Sequence, residues 1–186
     1  MQRNYQNTTS LLLCALFTAL VAIGAFIRIP TPLVPVTLQF WFTAMAGLLL
    51  GPWRGALSVF VYVLLGLIGV PVFTQGGGLG YVFQPTFGYL LGFIAEAWII
   101  GAIAWQKKDA DFKWLLFATL VGAVVVYSCG TVYCFLISKY VLGTTLALWP
   151  LLISCVFLPL PSDLVFCVVS AMLGKRLIPV MRQYLQ

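Results

Sequence analysis

Asp163 follows Pro159-Leu160-Pro161-Ser162 inside a long apolar stretch. The two prolines remove amide donors and free carbonyls in a segment that otherwise reads as helix. A carboxyl group at such depth costs a few kcal/mol unless it is partnered, and is a functional position by default. It could accept hydrogen bonds from a polar ligand, or Ser162 and Asp163 could cap the helix that restarts there; one side chain can do both. Glu96 lies at a comparable depth in another apolar run. It could touch a ligand, face Asp163 with mutual repulsion, or pair with Arg28 or Lys139. Gln39, Gln75, Gln84 and Thr86 supply neutral donors and acceptors, and Phe73, Tyr81, Phe83, Phe87 and Tyr89 supply aromatic walls. Interfacial aromatic belts would account for many of these rings. Their alternation with amides in a glycine-rich segment favours a pocket. Gly78, with Gly76, Gly77 and Gly80, permits positive φ and close backbone approach to a ligand.

This is the chemistry of recognition rather than of bond breaking. The 186 residues include no histidine, which removes the commonest general base and the commonest neutral metal ligand. There is no HExxH zinc motif, no GxSxG nucleophile turn and no lysine-containing phosphate loop. Gly76-Gly77-Gly78-Leu79-Gly80 does not follow a strand and lacks dinucleotide-binding spacing. The cysteines at 14, 129, 134, 155 and 167 all sit in apolar runs without a CxxC pair, and read as small buried hydrophobes. Neither a cofactor nor a metal is expected.

The elements that must position these residues are membrane spans. The chain is 62% hydrophobic and 8% charged, against about 45–50% and about 25% for soluble domains. No cleavable signal is evident, since the first apolar run is long and lacks a small-residue cleavage site near its end. Six spans are expected in a single all-α domain over residues 1–186. They run at Thr9–Ile27, Leu38–Leu50 (short, ending at Gly51-Pro52), Trp53–Gly69, Thr86–Trp105, Lys113–Ile137 and Leu148–Leu173, the last interrupted by Pro159 and Pro161. With six spans, one side carries Arg3, Arg54, Lys107, Lys108, Lys113, Lys175, Arg176 and Arg182, and the other only Arg28 and Lys139. The basic side is expected in the cytoplasm with both termini, in the cell membrane. The net charge of +6 is then topological, and its scatter over short connections gives no reason to invoke nucleic acid.

That orientation makes two unusual loops external. Ile29–Gln39 carries three prolines that hold it extended, and Ile68–Phe93 carries the glycine cluster with no charge before Glu96. Irregular backbone at membrane depth is tolerated only inside protein or beside a cavity, so these loops are expected to cap a small-molecule site. Small residues at helical spacing mark packing faces. Gly47-x-x-x-Gly51-x-x-x-Gly55 and Gly88-x-x-x-Gly92 suit internal neighbours, whereas Ala15, Ala19 and Ala22 suit an internal neighbour or a partner protein equally.

The segments IPTPLVPVTLQ, GVPVF with the glycine-rich loop, PTFGYLLGF and PLPSDL, in that order, resemble the BioY family, the biotin-specific S components of energy-coupling factor (ECF) transporters. The resemblance covers nearly the whole chain, and the combination is more specific than any one motif. It implies a six-helix bundle with biotin, the transported substrate, near the external side under the first and third loops. It also implies partnership with a transmembrane coupling subunit and two ATPase subunits. The alanine signature of such S components matches Ala15 and Ala19, which shifts the Ala15, Ala19, Ala22 face toward docking. Two positions depart from the family's pattern: Phe166 stands where a lysine is often found, and Gln84 where a glycine often precedes Pro-Thr. The first leaves Asp163 without its usual partner.

The ligand-binding residues expected are therefore Arg28, Gln39, Phe73, Gly78, Tyr81, Gln84, Thr86, Tyr89, Glu96 and Asp163. Asp163 would accept from ureido N–H groups, Gln39 or Gln84 would donate to the ureido carbonyl, and Arg28 is the one basic residue flanking the lids that could meet a carboxylate. The function expected is biotin capture at the external side and inward delivery on the coupling subunit. An autonomous carrier or channel is the alternative, though only Glu96, Asp163 and Arg28 could serve ion coupling. An intramembrane enzyme has no nucleophile–base pair to work with.

Overall fold

A computed structural model describes residues 2–31, 34–143 and 147–185, with side chains in the first helix described from residue 8. Pro32 and Leu33 of the proline-rich loop, and the side chain of Arg3, lie outside the described residues.

Among the described residues the chain is all-α apart from one two-stranded ribbon. Helix α1 spans Gln2–Phe26, α2 Gln39–Leu67, α3 Phe87–Ala104 and α4 Phe112–Tyr140. A short α5, Leu148–Leu152, runs through a π turn at Ile153–Phe157 into α6, Leu160–Leu185. Among the described residues, five helical runs are long and apolar enough to cross a membrane, where six spans were expected. The difference lies at α2, which carries the second and third expected spans in one run, with non-helical Gly51 between them.

That run is not a straight rod. Residues 39 and 62 would lie about 35 Å apart in an unbroken helix, yet the Gln39 amide nitrogen donates to the Tyr62 hydroxyl at 2.8 Å. A methyl group at Gly55 would sit 2.9 Å from the Cα of Gly47. The chain therefore reverses between them, at Gly51, whose φ of 80° and ψ of −178° are non-helical. Pro52 follows at the first position of the returning leg, where its missing N–H costs nothing. α2 is a tight helical hairpin with legs 39–50 and 52–67, and the glycines at 47 and 55 let those legs touch. The bundle thus has six legs in five runs.

α3 packs on the hairpin, where a Cβ at Gly47 would lie 2.4 Å from the Ala97 carbonyl oxygen. It also packs on α4, where Gly88 and Gly92 admit Tyr133 and Val126. α6 closes the bundle against α2 and α4, and α1 lies on α2. Large apolar side chains such as Leu12, Leu16, Phe117, Val124, Val165 and Met172 point outward. A surface so apolar suits acyl chains rather than water, and the chain is a multi-pass membrane protein.

The two ends differ. At one, the Arg54 guanidinium donates to the Leu185 carbonyl at 3.0 Å, and Arg182 donates to the carbonyls of Lys107 and Lys108, each at 2.8 Å. Most of the basic flanks collect there. At the other, strands β1 (Arg28–Ile29) and β2 (Val36–Thr37) pair antiparallel, Arg28 opposite Thr37. The long loop after α2 folds beside them around an isolated Phe73–Gly76 bridge and a 3-10 turn at Leu79–Phe83.

Candidate functional site

A largely apolar pocket with a few polar groups lies beneath the two loops. Two small adjoining cavities, of about 40 and about 30 Å³, share walls at Val34, Pro35, Thr37, Tyr89 and Phe93. The first adds Gln39, Thr74, Tyr81, Thr86 and Leu90. The second adds Phe40, Val126, Tyr127, Pro159 and Asp163, among others. A larger cleft of about 570 Å³ lies at the basic end around Trp105 and Arg182. There the Arg182 guanidinium is already engaged by loop carbonyls, capping the end of α3.

Five of the expected ligand residues converge on the cavities: Gln39, Tyr81, Thr86, Tyr89 and Asp163. Gln39 enters from the start of α2, with its amide nitrogen on the Tyr62 hydroxyl; that hydroxyl in turn donates to the Val72 carbonyl at 3.1 Å. Thr86 donates to the Tyr81 hydroxyl at 3.2 Å, and Thr74 and Tyr81 share a hydrogen bond of 2.9 Å. Tyr89 spans both cavities and donates to the Cys155 carbonyl at 2.8 Å. That carbonyl belongs to the π turn, where helical pairing is irregular and an oxygen can look outward.

The other five sit elsewhere. Phe73 is buried beneath the loop, edge-on to Tyr62 and 4.5 Å from the Tyr81 ring, and supports the wall rather than lining it. Gly78 (φ 104°) anchors the loop through its N–H to the Gly66 carbonyl at 2.7 Å. Gln84 is exposed on the outer side of the 3-10 turn. Arg28 is exposed and donates to the Thr74 carbonyl. Glu96 lies fully buried outside both cavity walls, accepting from Thr43 at 2.6 Å. It pairs with a hydroxyl rather than with Arg28 or Lys139.

Sequence reasoning missed Tyr127. Its hydroxyl donates to the Asp163 carboxylate at 2.5 Å, a short charge-assisted geometry. This supplies the partner that position 166 does not: Phe166 instead stacks on Trp41, 5.9 Å between centroids and 18° between planes. One signal was available. A tyrosine in the middle of a span lies outside the interfacial belts where aromatic residues need no further reason. The alternative capping role for Ser162 and Asp163 takes a different form: the Asp163 N–H and the Ser162 hydroxyl both donate to the Pro159 carbonyl.

Glu96 permits a prediction of its own. Its second oxygen, Oε1, has no hydrogen-bond partner among the described residues, so the Thr43 hydroxyl is the one hydrogen bond its carboxyl group has there. Thr43→Val keeps the shape and removes the donor. It should lower stability by about 1–2 kcal/mol, read as a fall in thermal midpoint in detergent, whereas Glu96→Gln should be better tolerated. A Thr43→Val midpoint equal to wild type would show that the pair contributes nothing.

On the first helix, Ala15 and Ala19 are exposed, amid exposed Leu11, Leu12, Leu16 and Ile23, while Ala22 is half-buried against the core.

The whole architecture has known counterparts. The model of the BioY family matches residues 1–183. The chain is 42% identical to a probable biotin transporter BioY of Lysinibacillus sphaericus, over 95% of this chain and 90% of that protein. It is 40% identical to the biotin transporter BioY of Thermotoga maritima, over 90% and 94% respectively. Among solved structures, the S component for biotin from an ECF-type ABC transporter superposes with a TM-score of 0.84 at 27% identity, covering 98% of both chains.

Proposed function

This chain belongs to the BioY family, and from that membership we propose that it is the biotin-binding membrane subunit of an ECF-type uptake transporter. The observation that carries the reading is a hydroxyl-braced carboxylate, Asp163 with Tyr127, set in an aromatic pocket beneath two loops. A ureido ring offers N–H donors for Asp163 and a carbonyl for a neutral donor such as the Gln39 amide. Tyr89 and Phe93, shared by both cavities, offer flat walls to the fused ring and its chain. The hydroxyls of Thr74, Tyr81 and Thr86 can hold the carboxylate at the rim. Gln84, Gly78 and Phe73 act by shaping the loop, and Glu96 by holding the Thr43 hydroxyl, whose oxygen lies 3.0 Å from the Gln39 carbonyl oxygen.

The substrate is carried and not transformed. Ligand pockets usually hold about 300–1,000 Å³, far more than these two cavities of about 40 and about 30 Å³. Loading therefore requires the ribbon and the long loop to move outward and then settle on the vitamin. In this reading the basic end, with both termini, faces the cytoplasm. The exposed Ala15 and Ala19 face of α1 docks a transmembrane coupling subunit, and two ATPase subunits power reorientation of the loaded protein.

Calorimetry of the purified chain with biotin, thiamine and riboflavin tests the assignment. Binding of biotin alone is expected. Equal affinity for all three, or none for biotin, would overturn it. In proteoliposomes the chain by itself should bind biotin without sustained gradient-driven flux; robust flux would instead identify an autonomous carrier.

A further inference from the structure

We infer that Arg28 is a clasp between the two loops over the pocket, setting how long biotin is held without touching it. The inference rests on the biotin-binding reading above.

The ribbon formed by β1 and β2 carries Val34, Pro35 and Thr37, which wall both cavities. The long loop carries Thr74 and Tyr81, which wall the first. These two segments leave α1 and α2 separately and could swing apart independently. Arg28 stands at the base of the ribbon, opposite Thr37, and its guanidinium donates to the Thr74 carbonyl in the long loop. This is the one direct hydrogen bond between the two loops among the described residues.

Its position gives it leverage. Thr74 lies inside the Phe73–Gly76 bridge, and its hydroxyl shares a hydrogen bond with Tyr81. Drawing on the Thr74 carbonyl thus holds both a pocket residue and the turn that presents it. Arg28 itself is exposed and lines neither cavity. A guanidinium suits the task because its rigid planar fork of donors reaches a carbonyl without burial. A bond at the rim that must break before the roof lifts is expected to act on release more than on capture.

The test uses the full-length chain in lipid nanodiscs with two probes, biotin and biotinamide, which lacks the carboxylate. Arg28→Ala should speed release of both by a similar factor, about fivefold, with association nearly unchanged and Arg28→Lys intermediate. Hydrogen exchange on the biotin-free protein should quicken together in residues 34–38 and 72–78, with the global thermal midpoint unmoved. Unchanged release of both probes would overturn the clasp. So would faster release of biotin with biotinamide unaffected, because Arg28 would then be holding the carboxylate. If the wild-type chain binds neither probe, the biotin reading fails, and the exchange arm alone decides whether Arg28 couples the loops.

Discussion

Asp163→Asn is expected to weaken biotin binding by about 1–3 kcal/mol, roughly fivefold to 150-fold in dissociation constant. Asparagine keeps the volume and can still accept from the Tyr127 hydroxyl, so the packing of α6 on α4 should survive. What it loses is the charge that strengthens bonds from ligand N–H groups in a pocket walled by aromatic and aliphatic side chains. Tyr127→Phe should weaken binding less, by about 1 kcal/mol, since it frees the carboxylate to turn without removing it. The two substitutions share one hydrogen bond, so their effects on affinity should not add in the double variant. Calorimetry on the four proteins measures this. Unaltered affinity in Asp163→Asn would remove Asp163 from the site, and simple additivity would remove Tyr127 as its positioning residue.

Gly51→Val should have the largest effect on folding, on the order of 4 kcal/mol. The backbone at Gly51, with φ 80° and ψ −178°, lies in a region that is essentially glycine-only and costs other residues about 1–3 kcal/mol. A Cβ there would also stand 3.2 Å from the Trp105 indole, which is itself fixed by its N–H to the Leu48 carbonyl. Crowding against a ring so held adds about 1–3 kcal/mol more. Opening the turn would separate Gln39 from Tyr62 and spread the pocket wall at the far end of the hairpin. The expected result is aggregated protein on size-exclusion chromatography, or a thermal midpoint well below wild type even with biotin present. A monodisperse Gly51→Val protein with normal biotin affinity would show that the reversal does not depend on this backbone.

Several features were legible before any coordinates. Uninterrupted apolar runs announce spans because lipid leaves backbone no partner but its own helix. Gly51-Pro52 announced a break because glycine and proline act through local sterics. The proline-rich and glycine-rich loops announced irregular backbone for the same reason, and Gly76 and Gly78 do adopt positive φ. Asp163, Gln39, Tyr81, Thr86 and Tyr89 were legible as polar or amphipathic groups in costly surroundings, and they do line the cavities.

Other features were not legible, and they share one cause. Tyr127 meets Asp163 across 36 residues, and Arg28 reaches Thr74 across 46. Neither pairing leaves a local pattern. Gln84 looked as much like a pocket residue as Thr86, yet the 3-10 turn points one outward and buries the other. Glu96 looked as able to pair with Arg28 or Lys139 as to meet a ligand, yet the packing of α3 on the hairpin gave it to Thr43.

The amino-acid order by itself thus determined that the chain crosses the membrane, where it turns, and which few polar groups must justify their depth. These follow from solvation and backbone sterics, which act residue by residue. Only the tertiary structure decided which groups meet, because helix rotation and close approach at glycines are settled by all the contacts at once.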